Sequence, residues 1–357
     1  MQRMRTLAGI SILALVLAAC SSGASDTAAE GGMEETTAAV ADDSNCAAAE
    51  SFCVGLVTDI GKVDDKSFNQ SAHEGAMAAA AEVGGFYKYI ETTDTKDYAA
   101  NMKQFTDKSY DVIVTVGFLM AEATVAAAKE NPNTKFIGVD QFQAEEVANL
   151  TGLIFPEDQA GYAAGYLAGM LTKSNKLGQV LGLEIPPVQK FAKGFEAGAK
   201  AANANVKVTT VYHPPADNGF ADPVWGAAEA KKQLSQGADI IFGAGGGTGN
   251  GALIEIAKAE GAGTSIFCIG VDTDQWGTVP EAQPCLVTSA MKGLVEGTSD
   301  LVKAAFDGSI KGGNFLGTTG LADYHDLASA VPADVQSKVA EVVAGLKDGS
   351  IQTGVTL

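Results

Sequence analysis

From residue 53 onward, short runs of apolar and β-branched residues alternate with longer alanine-rich stretches whose apolar positions return at helical spacing. That alternation predicts parallel strands joined by crossover helices. Strands are expected at 54–58, 87–90, 111–116, 135–139, 150–155, 179–183, 206–212, 240–244, 266–271 and 286–289. Helices are expected at 67–83, 121–130, 159–171, 188–202, 223–234, 251–261 and 293–306. About 305 residues follow position 52, more than one compact core usually holds, so the pattern is expected to divide into two α/β lobes.

In open α/β sheets ligands gather beyond the carboxyl ends of the strands. The residues at those ends are Asp59, Gly117, Asp140, Pro156, Glu184, His213, Gly245 and Asp272. Three are aspartates. A single such carboxylate can simply cap the helix that follows. Three at opposing strand ends suit a ligand with vicinal hydroxyls, because an ionised carboxylate accepts hydrogen bonds side by side. Two strand-end loops, 58–70 and 213–223, are polar except for one aromatic each near the start of a helix, Phe68 and Phe220. Two such rings can sandwich a planar group between lobes, each stack adding about 0.5–1.5 kcal/mol beyond burial. The alternative for each is a hydrophobic staple packed on its own helix.

Charge narrows the ligand. The chain has 43 acidic and 24 basic residues, a formal net charge of −19, which repels nucleic acid and anionic surfaces. Its arginines are Arg3 and Arg5, so everything downstream relies on lysine for cationic recognition. Carboxylates and phosphates are best captured by the planar guanidinium fork, and a neutral, hydroxyl-rich or aromatic ligand therefore fits better. Arg3 and Arg5 precede an apolar run at 7–19 that closes with Leu17-Ala18-Ala19-Cys20, a small-residue cleavage site followed by cysteine. The segment resembles a bacterial lipobox, with 1–19 a signal peptide and Cys20 the lipid-modified N-terminus. The run is shorter than the roughly 20 residues of a spanning helix. Residues 20–52 then read as a flexible acidic tether on the outer side of a cell membrane. Four further cysteines, an even number in an oxidising compartment, favour disulfides. Cys46 with Cys53 and Cys268 with Cys285 is the sequence-local choice among three connectivities, and four unpaired buried thiols are the alternative.

Signs of catalysis fail on spacing. The run Gly243-Ala244-Gly245-Gly246-Gly247-Thr248-Gly249-Asn250-Gly251 contains no GxGxxG register and leads to no Gly-Lys-Ser/Thr. There is no nucleophile elbow, no HExxH and no zinc spacing among Cys and His, and Asp64-Asp65 is too short for a calcium site. No catalytic residue, metal or cofactor is expected.

Several segments, in order, resemble the basic membrane protein family of bacterial lipoproteins, whose best-understood members are purine-nucleoside receptors of ABC transporters. They are Leu56-Val57-Thr58-Asp59, Asp64-Asp65-Lys66-Ser67-Phe68-Asn69-Gln70, Gly117-Phe118, Phe220-Ala221-Asp222-Pro223, Gly270-Val271-Asp272-Thr273-Asp274-Gln275 and Thr288-Ser289-Ala290-Met291-Lys292. The resemblance implies a type I periplasmic-binding-protein fold, two doubly wound α/β lobes joined by a three-crossing hinge that closes on ligand. Carried over by motif, Phe68 and Phe220 would stack on a base, and Asp272, helped by Lys292, would take the ribose hydroxyls. Asp59 and Asn69 would read polar edges, Gly246 would admit the ligand to the backbone, and Asp140 is a weaker carry-over. His73, Glu122 and Ala221 depart from the family pattern.

The expected protein is a monomeric, membrane-anchored receptor that passes nucleosides, purine nucleosides foremost, to an ABC permease. A receptor for a neutral sugar or furanose-type signal is the rival reading, with Trp225 or Trp276 as the stacking aromatics; a nucleoside-processing enzyme is the more distant one. Lobe one is expected to comprise 53–155 plus 286–316, and lobe two 156–285 plus 317–357.

Overall fold

The computed structural model describes residues 42–357; the expected signal peptide, Cys20 and most of the tether lie outside the described residues. Strands sort into two six-stranded sheets. The chain first lays down β1 (Cys53–Ile60), α1 (Phe68–Glu82), β2 (Phe86–Thr92), α2 (Tyr98–Thr106), β3 (Val112–Val116), α3 (Ala121–Glu130), β4 (Lys135–Val139) and β5 (Leu150–Ile154). It continues through α4 (Glu157–Leu171), β6 (Lys176–Leu181), α5 (Pro186–Ala202), β7 (Lys207–Tyr212), α6 (Pro223–Ser235), β8 (Ile240–Ala244) and α7 (Gly246–Ile256). Then come β9 (Phe267–Asp272), the single turn α8 (Gln275–Thr278), β10 (Leu286–Lys292), α9 (Leu294–Phe306), β11 (Gly313–Leu316), β12 (Thr319–Leu321) and α10 (Ala333–Asp348).

The first sheet has the order β11-β5-β4-β3-β1-β2, with all its pairings parallel. The second has the order β12-β10-β9-β8-β6-β7, parallel except for the edge pair β10–β12. Helices cover both faces of each sheet, so the central strands are buried almost without interruption. Alternation decides which core a residue joins: Leu56 of β1 packs with Ala76 of α1 and Leu301 of α9, while Val57 packs with Met102 of α2. In the second lobe β6 and β9 sit likewise between α4, α5 and α10 on one side and α6 and α7 on the other.

α4 and α5 approach each other through glycines. A Cβ on Gly165 would overlap the carbonyl oxygen of Phe195, and one on Gly198 that of Tyr162, so neither position has room for a side chain. The chain passes between the lobes three times: from β5 into α4, from β10 into α9, and from β11 into β12.

The placement expected for 286–316 needs a correction. β10 lies in the second sheet, paired to β9 from Leu286 opposite Cys268 to Met291 opposite Asp272, and only after Lys292 does the chain return to pack α9 on α1. The physical reason is the Cys268–Cys285 disulfide, which fixes the start of β10 beside β9. A second correction concerns the glycine run. Gly245, at φ +152°, and Gly246, at φ +53°, make the turn between them, so α7 begins at Gly246 rather than at 251. α2, β11 and β12 were not anticipated.

Cys46 is joined to Cys53, and Cys268 to Cys285, with Sγ–Sγ distances of 2.07 and 2.11 Å. The second bridge closes a 17-residue separation inside the core of the second lobe. Replacing both cysteines by alanine should lower stability by about 2–4 kcal/mol, read as a shift of the urea midpoint. An unchanged midpoint would mean that the bridge constrains nothing in the unfolded chain.

Candidate functional site

The carboxyl ends of the strands in both sheets face one interlobe cleft. Asp59, Phe68, Asn69, Asp140, Phe220, Gly246, Asp272 and Lys292, the residues singled out from sequence, all line it. Of the eight strand-end residues, Asp59, Gly117, Asp140, Gly245 and Asp272 are in the lining and the other three are not. Pro156 precedes α4, Glu184 accepts from Gln189, and the half of the His213 ring that could reach out is taken by its own loop.

Phe68 and Asn69 are aimed by the start of α1. The Asp65 carboxylate accepts from the backbone N–H groups of Ser67 (3.0 Å), Asn69 (2.9 Å) and Gln70 (3.0 Å), satisfying donors that the first helical turn leaves free. The Asn69 side chain is buried in the cleft wall and its Oδ1 has no partner among the described residues. On the opposite lobe, the loop bearing Phe220 is pinned by Thr248 of α7. Its hydroxyl donates to the carbonyl of Gly219 (3.0 Å) and accepts from the N–H of Asp222 (2.9 Å). Asp222 in turn caps α6 by accepting from Trp225 N (3.0 Å). The Phe220 ring lies against Gly182, where a Cβ would collide with it.

Asp140 and Asp272 occupy equivalent places at the ends of β4 and β9 and share an unusual backbone. Both have left-handed φ, +60° and +68°, a strained choice for a non-glycine residue. Asp140 is engaged on both oxygens by Lys292 Nζ, at 2.6 Å each. Asp272 accepts from Ser67 Oγ at 2.7 Å across the cleft. Lys292 is also 3.3 Å from Glu157 Oε1, and its ammonium lies over the rings of Phe155 (4.8 Å), Phe68 (5.1 Å) and Phe191 (5.8 Å).

Four carboxyl groups and one lysine therefore share the cleft. Burial works against the Lys292 charge, but Asp140, Glu157 and Asp272 outweigh it and hold its pKa above the ordinary lysine value. Burial raises Asp272, with Lys292 and Ser67 opposing. Burial likewise raises Asp65, to about 6, against the pull of its three backbone donors. Asp59 is raised well above its usual range, by burial and then by the neighbouring Asp65 and Asp140, and no donor of the described residues reaches its carboxyl. Gly117 is fixed by that group: at φ +121°, a Cβ there would overlap Asp59 Oδ2.

The residues that sequence reasoning missed are Asp65, Ser67, Phe191 and Glu157. Asp65 carried a readable signal, since an aspartate three residues before the first helical position fits a capping turn; Glu157 and Phe191 become neighbours of Lys292 only through the packing of α4 on α5. Trp276 stacks on His325 at 4.9 Å and Trp225 packs edge-on to His213, so neither tryptophan is in the lining. His73 is half-buried and engaged by Tyr87 Oη at 2.8 Å.

Residues 52–323 match the family described as ABC transporter substrate-binding protein, PnrA-like. The chain belongs to that family. Its substrate-binding proteins are receptors of ABC importers, not enzymes, and they work outside the cytoplasm. Among curated relatives, the CD4+ T-cell-stimulating antigen of Listeria monocytogenes is 33% identical over 84% of this chain and 87% of its own. Basic membrane protein A of Borreliella burgdorferi is 34% identical over 67% of this chain and 68% of its own. The ABC transporter nucleoside-binding protein BmpA of Lactococcus lactis is 33% identical over 62% of this chain and 63% of its own. Among solved structures, an ABC transporter solute-binding protein from Aeropyrum pernix superposes with a TM-score of 0.75 at 24% identity, covering 84% of this chain and 92% of that one. The shared architecture is the two-lobed periplasmic-binding-protein fold expected from the sequence. Among the described residues no helix is long and apolar enough to cross a membrane.

The raised Asp59 pKa yields a prediction with a definite sign. Its folded value lies above the ordinary 3.8, so ionisation destabilises the folded state once pH exceeds that value and is without effect below it. Asp59→Asn should therefore be more stable than the unsubstituted protein at pH 7.5, and the advantage should vanish by pH 4. Urea unfolding of both ligand-free proteins at the two pH values measures this; an advantage independent of pH would contradict it.

Proposed function

We propose that this protein is a membrane-anchored lipoprotein receptor that binds nucleosides, purine nucleosides in particular, and hands them to an ABC permease. The observation that carries the reading is that the cleft combines two phenylalanines on opposite lobes, Phe68 and Phe220, with the strand-end carboxylates and a single buried lysine. A planar base suits the rings, with a face for each, and a ribose suits Asp272 and Lys292, which offer an acceptor and a charged donor. Asp59 and the unpartnered Asn69 Oδ1 are left to meet polar atoms on the edge of the base. The named activity of the Lactococcus relative as a nucleoside-binding protein points the same way. Anchoring through Cys20 rests on the Leu17-Ala18-Ala19-Cys20 motif, and the acidic segment after it serves as the spacer. The protein acts as a monomer, since one chain supplies both walls of the cleft.

The rival reading, a neutral sugar, loses its stacking residues because both tryptophans lie elsewhere. The test is a thermal-shift and calorimetric screen of the protein lacking residues 1–20, unfolded and refolded to remove bound ligand, against nucleosides, free bases, pentoses and hexoses. Saturating nucleoside should stabilise it by about 2.7 kcal/mol at a hundredfold excess over Kd. Phe68→Ala and Phe220→Ala should each weaken nucleoside binding about 10- to 100-fold, and Asp272→Asn at least as much. A response to sugars with none to nucleosides would overturn the reading.

A further inference from the structure

The lobes meet at the turn 65–67, which leads into α1 and sets the direction of Phe68 and Asn69. Lys66 in this turn is left-handed, at φ +63°, and so turns its carbonyl toward the other lobe. That oxygen accepts from Thr278 Oγ1 at 2.8 Å and from Gln275 Nε2 at 3.3 Å. The carbonyl of Asp65 accepts from Asn250 Nδ2 at 2.8 Å. Neither Asn250, Gln275 nor Thr278 lines the cleft.

The two amides have a single consistent orientation. Gln275 Oε1 accepts the backbone N–H of Val271 at 2.9 Å, which turns its Nε2 outward. Nε2 donates to Asn250 Oδ1 at 2.7 Å, which leaves Asn250 Nδ2 pointing at the Asp65 carbonyl. A continuous relay thus runs from the backbone beside Asp272 on one lobe to the turn that carries Phe68 on the other. Backbone carbonyls, not ligand atoms, are its targets.

We propose that Asn250, Gln275 and Thr278 are positioning residues that form an interlobe latch, gripping the 65–66 backbone when the lobes close and setting how long a ligand stays rather than which ligand is chosen. The three bonds to the Asp65 and Lys66 carbonyls join one lobe to the other, so their loss falls on the release step. The relay also ties the Asp272 end of β9 to closure, because Val271 N–H orients the amide pair. The choice of nucleoside as probe rests on the function proposed above; the latch itself does not.

The test compares Thr278→Val and Asn250→Ala with the unsubstituted protein by stopped-flow release of inosine, guanosine and adenosine. Thr278 is half-buried and valine keeps its shape, so its substitution leaves the core untouched. Loss of one such bond should raise koff about 3- to 10-fold, equally for every nucleoside, with kon unchanged. Unchanged koff in both variants, or an altered order of preference among the nucleosides, would overturn the latch. Should the unsubstituted protein bind no nucleoside, the proposed function fails and the latch is read without ligand. Pulsed EPR between spin labels at K96C and K200C should then give longer interlobe distances in Thr278→Val, and superimposable distributions would overturn it.

Discussion

Burying an ammonium group is tolerable only where opposite charge and hydrogen-bond acceptors replace the water it has left, because the desolvation cost is several kcal/mol for each ion. Lys292 meets that condition with parts drawn from both lobes. Asp140 from the first sheet takes its protons on both oxygens, Glu157 at the start of α4 lies 3.3 Å away, and three phenylalanine rings surround the remaining directions. Lys292 itself ends β10, where the chain leaves the second lobe for α9. One ion-pair cluster therefore joins two of the three crossings to the floor of the cleft. Because it contains more carboxylates than cations, the site carries an excess of acceptors, which suits a ligand rich in hydroxyl and N–H donors.

The two lobes solve the same local problem twice. Ile137-Gly138-Val139-Asp140 and Ile269-Gly270-Val271-Asp272 end equivalent strands, each aspartate is left-handed, and each is followed by a buried glutamine that ties down a strand end, Gln141 by donating to the carbonyls of Thr115 and Gly117 at the end of β3 and Gln275 by accepting from Val271 N–H of its own strand. The outcomes differ. Asp140 is consumed by Lys292, whereas Asp272 receives one hydroxyl hydrogen from Ser67 and keeps further acceptor capacity. That difference is the structural basis for ranking Asp272 above Asp140 as a ligand group.

Much of the framework was legible along the chain because period and strand ends are local properties. β4 and β8 fall where the apolar runs place them, and the rule that sites lie beyond the carboxyl ends of strands led to Asp59, Asp140 and Asp272. What escaped is non-local. The sheet to which β10 belongs depends on a disulfide and on which side of a crossing it falls, and neither is written in the run 286–292. Glu157 looks like any acidic residue in a first helical turn until α5 and Lys292 close over it. β11 and β12 are short, half-exposed edge strands whose pairing partners, not their composition, make them strands.

Without arginine in the described lobes, the cleft has Lys292 as its single lining cation, and that cation is already paired. On the function proposed above, recognition is left to ring faces and to carboxylates that accept hydrogen bonds, which favours a neutral ligand with vicinal hydroxyls. The direct test is calorimetric titration of the ligand-free protein with inosine and with 2′,3′-dideoxyinosine under identical conditions. If Asp272 and Lys292 hold a ribose diol, removing both hydroxyls leaves buried polar groups unpaired and should weaken binding by at least about 100-fold. Equal affinity for the two would contradict the account.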